Sequence, residues 1–159
     1  MKSIDLVSLV SIVGILLYFI IAAQGAFYHF GFGKALYNIS SENFIELRKA
    51  VDPIVRGKFK VVYLSALAVM FLWFVLIDKS GGFWSYAPIV IALLLLITDL
   101  FLIVKFSEPI NELVNSNLLN TKESFVEARD QWLKFILIRG YLSISGFVLL
   151  LLHLVLKVR

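Results

Sequence analysis

Four runs of apolar residues, each long enough to cross a lipid bilayer as a helix, dominate this sequence of 159 residues. A spanning helix needs about 20 mostly apolar residues, because each residue advances about 1.5 Å through roughly 30 Å of hydrocarbon. The runs cover approximately 6–30, 59–77, 83–104 and 132–156. They predict an all-α fold, a four-helix transmembrane bundle, with the lipid bilayer as its surroundings.

The composition supports a membrane protein. Hydrophobic residues make up 60% of the chain and charged residues 16%, whereas about 25% of the residues of a soluble domain are charged. A soluble domain of this size buries only about two thirds of its surface, so it could not hide so many apolar side chains. We expect a single, multi-pass domain over 1–159 in the cell membrane. The first run is too long for a typical signal-peptide core, and we interpret it as a helix of the mature protein.

Several classes of partner and site are excluded. The sequence contains no cysteine, so disulfides, thiolate metal sites and cysteine nucleophiles are impossible. The net charge is +4, but the basic residues flank the apolar runs and form no stripe with exposed aromatic residues. We therefore predict no nucleic-acid partner. The sequence is compatible with a homo-oligomer or with a subunit of a membrane complex.

The distribution of Lys and Arg predicts the orientation of the four spans. Two long connections, 31–58 and 105–131, lie on one side, and both termini lie on the other with the turn 78–82. Because that turn is short, the second and third helices should be antiparallel neighbours. The side of the long connections carries ten basic residues: Lys34, Arg48, Lys49, Arg56, Lys58, Lys60, Lys105, Lys122, Arg129 and Lys134. The side of the termini carries four: Lys2, Lys79, Lys157 and Arg159. The positive-inside rule then places the long connections in the cytoplasm and both termini outside.

The two long connections contain helical signals of their own. In 41–56, apolar residues recur at helical spacing with Arg48 off the apolar stripe, which predicts an amphipathic cap helix. A second short helix is predicted over about 109–118, where the first residue is a proline. Asn120, followed three residues later by Glu123, is typical of a capping box that leads into the fourth span. We therefore expect short amphipathic cap helices on one side of the bundle.

A few polar residues within the apolar runs lie at one depth. Ionisable groups in a span cost about 2.5–3.5 kcal/mol each on insertion scales, so they are rarely left unpaired. Asp99 and Arg139 lie at similar depths, about 9 Å inside the end with the long connections. His29 closes the first run at that end, and Gln24 lies deeper on the same helix. The helical phase allows these faces to converge on one polar pocket beneath the cytoplasmic connections.

The polar residues favour acid–base chemistry. His29 and His153 lie near opposite ends of the bundle, which disfavours a bis-histidine haem, and no histidine pair has metal-ligand spacing. We predict no metal and no cofactor. His29, or alternatively Asp99, could remove a proton from an acidic carbon or a phenol, and Arg139 could stabilise the resulting anion. The alternative interpretation is that Asp99 and Arg139 form a structural ion pair that only fixes the order of the helices.

Short motifs along most of the chain resemble those of a known family. They are Gly25-Ala26-Phe27-Tyr28, Phe44-Ile45-Glu46-Leu47-Arg48, Glu108-Pro109-Ile110-Asn111-Glu112-Leu113, and Trp132 followed seven residues later by Arg139. This layout resembles the anthrone-oxygenase-like family of integral membrane proteins, many of which have no known function. Members with an assigned activity oxidise polyketide anthrones to anthraquinones with molecular oxygen and without a recognised cofactor. The resemblance implies that Asn111 and Arg139 orient and stabilise the substrate anion, while Trp132 packs against its ring.

Two functions from different classes follow as hypotheses. The first is an oxygenase-like enzyme that acts on a hydrophobic aromatic or quinol-type small molecule, with Gln24, Asn111 and Trp132 binding the substrate. It requires a pocket of roughly 300 Å³ or more. The second is a non-catalytic scaffold or accessory subunit, in which Asp99 and Arg139 are in direct contact within a packed bundle. A small transporter is a weaker third hypothesis, because the sequence carries no broken-helix signal.

Overall fold

The computed structural model describes residues 5–116 and 118–157, and all regular structure in these residues is helical. Six α-helices follow in chain order: α1 (Leu6–Phe27), α2 (Gly33–Asn38), α3 (Ser41–Leu76), α4 (Ala87–Leu102), α5 (Glu108–Asn115) and α6 (Lys122–Lys157). Within the described residues, four segments are long and apolar enough to cross a membrane: Leu6–Asn38, Ser41–Leu76, Ala87–Asn115 and Lys122–Val155. The predicted all-α four-helix bundle is confirmed. Lys2 and Arg159, which were counted in the prediction of the orientation, lie outside the described residues. Position 117 of the helix predicted over 109–118 also lies outside them.

The cap helices continue from the long helices instead of standing apart from them. A π-helical turn, Tyr28–Phe32, joins α1 to α2 with a kink at Gly31, whose φ is 145°, and a second, Ile103–Ser107, joins α4 to α5. The amphipathic segment 41–56 is helical, but it is the first part of α3, so the prediction of a separate cap helix there is wrong. Gly57, directly after this segment, does not end the helix, because one glycine in a helix costs only about 1 kcal/mol.

Side-chain caps fix where the helices begin. Asp5 caps α1 by accepting a hydrogen bond from the backbone N–H of Ser8 at 2.8 Å. The α6 helix is capped by Thr121, whose Oγ1 accepts from the backbone N–H of Ser124 at 3.2 Å, and Ser124 Oγ accepts from the Thr121 N–H at 3.2 Å. The predicted capping box was therefore one residue too early, because the reciprocal pair is Thr121 with Ser124 and not Asn120 with Glu123.

The helices enclose two buried apolar clusters, one above the other. The membrane core lies between α1, α3, α4 and α6 and includes the fully buried side chains of Tyr18, Met70 and Leu150. The cap core lies at the end with the long connections, where α2, α5 and the beginnings of α3 and α6 meet around Phe44 and Trp132. The α3 and α4 helices pack together after their short turn, which confirms that they are neighbours.

The outward faces of the long helices are apolar. Leu16 on α1, Phe71 on α3 and Leu94 on α4 are each more than half exposed, at 57%, 58% and 57%. Large apolar patches of this kind are rare on soluble monomers and are the normal surface of a protein in lipid. The surface of the bundle therefore supports the lipid bilayer as its environment.

Candidate functional site

A buried polar triad connects three of the long helices. It consists of Tyr63 on α3, Asp99 on α4 and Arg139 on α6. Arg139 Nε donates to Asp99 Oδ1 at 2.7 Å, and the Tyr63 hydroxyl donates to Asp99 Oδ2 at 2.6 Å. Arg139 Nη2 donates in turn to the Tyr63 oxygen at 3.1 Å. Each member therefore contacts both others, and both carboxylate oxygens have a donor.

A second polar cluster, the cap cluster, lies in the cap core. Arg48 Nη2 donates to Asp52 Oδ1 and to Asn111 Oδ1, both at 3.0 Å. Trp132 Nε1 donates to the same Asn111 oxygen at 3.1 Å, and the Arg48 guanidinium carbon lies 4.3 Å from the centre of the Trp132 ring. Asn115 Nδ2 completes the cluster by donating to Asp52 Oδ2 at 3.0 Å. These contacts hold α3, α5 and α6 together at the cap end.

A cavity of about 540 Å³ lies between the two clusters. Its wall includes Tyr63 and Arg139 from the polar triad and Arg48, Asn111 and Trp132 from the cap cluster. The rest of the wall is largely apolar and contains Phe27, Tyr28, Val51, Val55, Phe59, Leu64, Leu100, Ile103, Val104 and Ile136. This volume lies in the range of small-molecule sites, and a few polar groups in an apolar wall are typical of them.

Both π-helical turns contribute to the cavity wall. Tyr28 belongs to the first turn, and Ile103, Val104 and Ser107 belong to the second. The Tyr28 ring packs edge-on against the Trp132 ring with 5.5 Å between the centroids. A π-helical turn shifts the phase of the side chains that follow it, and such turns occur frequently at functional sites. Here the two turns lie where the long helices meet the cap.

The opening of the cavity combines basic and apolar side chains. Leu64 and Val104 line the cavity and are 53% and 70% exposed. Arg56 and Lys60 line the same side on α3, and Arg56 forms ion pairs with Glu108 and, at 3.6 Å, with Glu112. In total the lining contains four basic residues, Arg48, Arg56, Lys60 and Arg139, and two acidic ones, Asp52 and Glu108. Asp99 and Glu112 pair with Arg139 and Arg56 from outside the lining, so Lys60 is the one lining cation without an ion pair among the described residues.

The structure brings together most, but not all, of the residues that were predicted to form the site. Gln24, Asn111, Trp132 and Arg139 line the cavity. Asp99 lies behind Arg139 and Tyr63 and is outside the lining residues. The remaining residue, His29, is not among the lining residues either.

The His29 ring lies against α6, away from the cavity lining. Its Nε2 donates to the backbone oxygen of Leu137 at 2.9 Å, and its ring centroid is 4.1 Å from that of Tyr141. It also lies over Gly140, where the absence of a side chain leaves room for the imidazole. These contacts give His29 a role in packing the turn after α1 against α6.

Three members of the two polar clusters that line the cavity were not predicted from the sequence. Arg48 was predicted to lie off the buried stripe, and this is wrong, because Arg48 and Asp52 are 7% and 4% exposed. Their spacing of four residues, typical of a helical ion pair, was a signal that could have found them. Tyr63 lies inside an apolar run. The sequence does not distinguish a tyrosine there whose hydroxyl is a buried hydrogen-bond donor from one that only packs through its ring. Among the described residues, no group of three or more His, Asp or Glu side chains could hold a metal ion.

The fold and the cavity define a class: a helical bundle with four segments long enough to cross a membrane and a small-molecule-sized cavity at one end. Comparison with known proteins identified no relative: no family model, curated protein or solved structure matches the chain. The resemblance to the anthrone-oxygenase-like family stays a prediction.

Proposed function

We propose that this protein is a multi-pass membrane enzyme that binds a hydrophobic aromatic or quinol-type molecule between its helices and oxidises it with molecular oxygen. One observation carries the proposal. Asn111 on α5 and Trp132 and Arg139 on α6, the three residues that the family resemblance implies, line one cavity of about 540 Å³. The cavity exceeds the roughly 300 Å³ that an enzyme of this kind needs.

The polar triad supplies a route for the proton. Tyr63 lines the cavity and donates to Asp99 at 2.6 Å, so a proton taken from a substrate carbon by the tyrosine oxygen passes through Tyr63 to the carboxylate. Arg139 holds the substrate anion from the same wall. The carbanion then reacts with dioxygen, and the proton returns to the resulting peroxide. Loss of water leaves a carbonyl, so that one CH₂ group and one O₂ give one C=O group and one water molecule.

A non-catalytic scaffold is the second candidate, and one contact favours it. Arg139 Nε lies 2.7 Å from Asp99 Oδ1, which is the direct ion pair expected if the polar residues only fix helix packing. In a scaffold the triad would stabilise the bundle and the cavity would have no ligand. If the protein is an enzyme, a larger side chain in the cavity should abolish its activity. If it is a scaffold, the same substitution should leave its function unchanged.

The test is the oxidation of anthrone by the purified protein, measured as oxygen uptake above the uncatalysed rate. We expect the wild-type protein to accelerate this reaction. Ile136 is 4% exposed and lines the cavity, so Ile136→Phe should occupy ligand volume and abolish the acceleration. Ile138 lies two residues further along α6, is 38% exposed and is not among the lining residues. The matched variant Ile138→Phe should therefore keep the wild-type rate.

Three results would decide against the enzyme. The first is an oxygen uptake that is equal with and without the wild-type protein. The second is an Ile136→Phe variant that retains the wild-type rate while its unfolding temperature is unchanged. The third is a packing effect alone, in which Ile136→Phe raises the unfolding temperature and no aromatic compound is recovered by mass spectrometry from the purified wild-type protein. That third result would favour the scaffold.

A further inference from the structure

We infer that the natural ligand of the cavity is a hydrophobic acid whose negatively charged oxygen atoms are bound by Arg48. The inference rests on the proposed small-molecule function and adds the chemical class of the ligand. It depends on the geometry of Arg48, on a donor that this side chain leaves unused, and on the charge of the cavity.

The Arg48 guanidinium is held rigidly before any ligand arrives. The residue is 7% exposed, and its bonds to Asp52 and Asn111 both use Nη2. One face of the guanidinium lies over the Trp132 ring, which is fixed by its own hydrogen bond to Asn111. A planar donor group that is already oriented loses little freedom when it binds an anion, and Arg is the side chain best suited to bind carboxylate or phosphate oxygens.

Arg48 has a donor that no described residue uses. Its Nε is buried and has no hydrogen-bond acceptor within residues 5–116 and 118–157. Buried donors almost always have a partner, and Arg48 lines the cavity. An oxygen atom of a ligand in the cavity would be such a partner, and a charged oxygen would form a stronger bond than a neutral one.

The charge of the cavity favours an anion over a neutral acceptor. Of the four basic lining residues, Arg48, Arg56 and Arg139 each form an ion pair with a carboxylate. Lys60 forms no ion pair with any residue that the structure describes. A negatively charged ligand would give Lys60 a partner, whereas a neutral ligand would leave it without one.

The position of the opening explains why the ligand is also hydrophobic. The exposed Leu64 and Val104 lie on the outer surface of segments that are apolar enough to cross a membrane. An acid dissolved in the bilayer, with its charge at the interface and its apolar body in the hydrocarbon, would approach the opening from the lipid. Its body would then contact Phe59, Leu100 and Ile103 while its charge reached Arg48.

The experiment compares two fluorescent probes with the same ring system, anthracenecarboxylic acid and its neutral methyl ester. Binding to the full-length protein is measured by fluorescence anisotropy in nanodiscs of phosphatidylcholine, which has no net charge. We expect the wild-type protein to bind the acid about tenfold or more tightly than the ester, as one hydrogen bond to a charged group predicts. In the double variant Arg48→Gln/Asp52→Asn this preference should be lost. Both residues are changed because Arg48→Gln alone would leave the Asp52 carboxylate buried without its cation.

A second Arg–Asp pair in the cap provides the matched control. Arg129 Nε donates to Asp130 Oδ1 at 3.0 Å, and neither residue is among those lining the cavity. The variant Arg129→Gln/Asp130→Asn should therefore keep the preference for the acid. If this control lost the preference as completely as the Arg48 variant, the assignment to Arg48 would be overturned.

The remaining outcomes separate this inference from the proposed function. Equal binding of acid and ester by the wild-type protein would overturn the anion site and leave the aromatic-binding cavity standing. Failure of both probes to bind would overturn the two together. A lipid headgroup is another source of an anion, and it is tested with nanodiscs that contain phosphatidylglycerol. Displacement of the acid by this lipid would overturn the assignment to a small hydrophobic acid.

Discussion

The carboxylate of Asp99 is stabilised inside the bundle by two donors from neighbouring helices. The side chain is 1% exposed, and its two oxygens accept from Arg139 and from Tyr63. Removing a carboxylate from water costs several kcal/mol, and the cost is offset only when a cation and further hydrogen bonds are present together. The three residues therefore act as a unit, and the loss of one changes the environment of the other two.

The first prediction at this scale concerns Arg139. Arg139→Leu leaves the Asp99 carboxylate buried without a cation, and it should lower the free energy of unfolding by about 3–5 kcal/mol. The double variant Asp99→Leu/Arg139→Met removes both charges and keeps the apolar volume, so it should be distinctly more stable than Arg139→Leu. Both values can be measured by denaturant unfolding in detergent micelles. Equal losses in the single and the double variant would contradict the coupling of the two residues.

The sequence predicts some members of the site better than others for a physical reason. Asp99 and Arg139 are conspicuous, because an ionisable residue in an apolar run must find a partner. Tyr63 has no such signal, since its ring is compatible with lipid, with the core or with the membrane interface. Arg48 was placed off the apolar stripe of the amphipathic helix 41–56, because arginines are mostly exposed. Its burial depends on the Asn111 and Trp132 side chains, 63 and 84 residues away in the sequence.

At the scale of helices, α1 and α6, which both contribute to the cavity wall, cross at close range. Gly25 and Gly140 meet at this crossing, where a Cβ atom on Gly25 would lie 2.6 Å from the Cα atom of Gly140 and 2.9 Å from Ser143 Oγ. Small residues of this kind allow the backbones of membrane helices to approach closely. Close packing here also brings the His29 ring onto α6.

This crossing gives the second prediction. Gly25→Ala places a methyl group against the Gly140 backbone and should lower the free energy of unfolding by about 1–3 kcal/mol through overpacking. Gly14 provides the control on the same helix, because its nearest neighbours would lie 3.4–3.5 Å from a Cβ atom and are side-chain atoms. Gly14→Ala should be neutral, or stabilising by up to about 1 kcal/mol, since alanine is the better helix former. Unfolding in detergent measures both, and equal effects would show that α1 and α6 can move apart without cost.

The boundaries of the helices are less predictable than their existence. Hydropathy finds each span because burial in lipid requires a long apolar run. It does not find the π-helical turns, because these depend on how the cap packs and leave no periodicity of their own. Pro53 lies inside α3, where a proline removes one backbone donor and usually ends or bends a helix. Packing of Phe44 and Ile45 in the cap core holds this first part of α3 in place.

For the molecule as a whole, the cavity, both polar clusters and the long connections lie towards one end. If that end faces the cytoplasm, as the positive-inside rule predicts, the cavity opens near the inner leaflet and a ligand would come from that side. The orientation of the bundle therefore determines which pool of small molecules the site can reach. Charge alone predicts it, because no feature of helix packing distinguishes the two sides of a bilayer.

The last prediction tests this orientation by cysteine labelling, for which the chain is well suited because it contains no cysteine. Ser80→Cys places a thiol in the exposed turn between α3 and α4, and Asn120→Cys places one in the exposed connection before α6. In intact cells a membrane-impermeant maleimide should label Ser80→Cys, and it should label Asn120→Cys only after the membrane is permeabilised.

The unsubstituted chain controls for background, and labelling of both variants in detergent controls for access. The reverse pattern would place the cavity at the outer leaflet, and labelling of both in intact cells would show that the bundle inserts in both orientations. The first result alone places Arg48 and the opening of the cavity at the cytoplasmic side of the membrane.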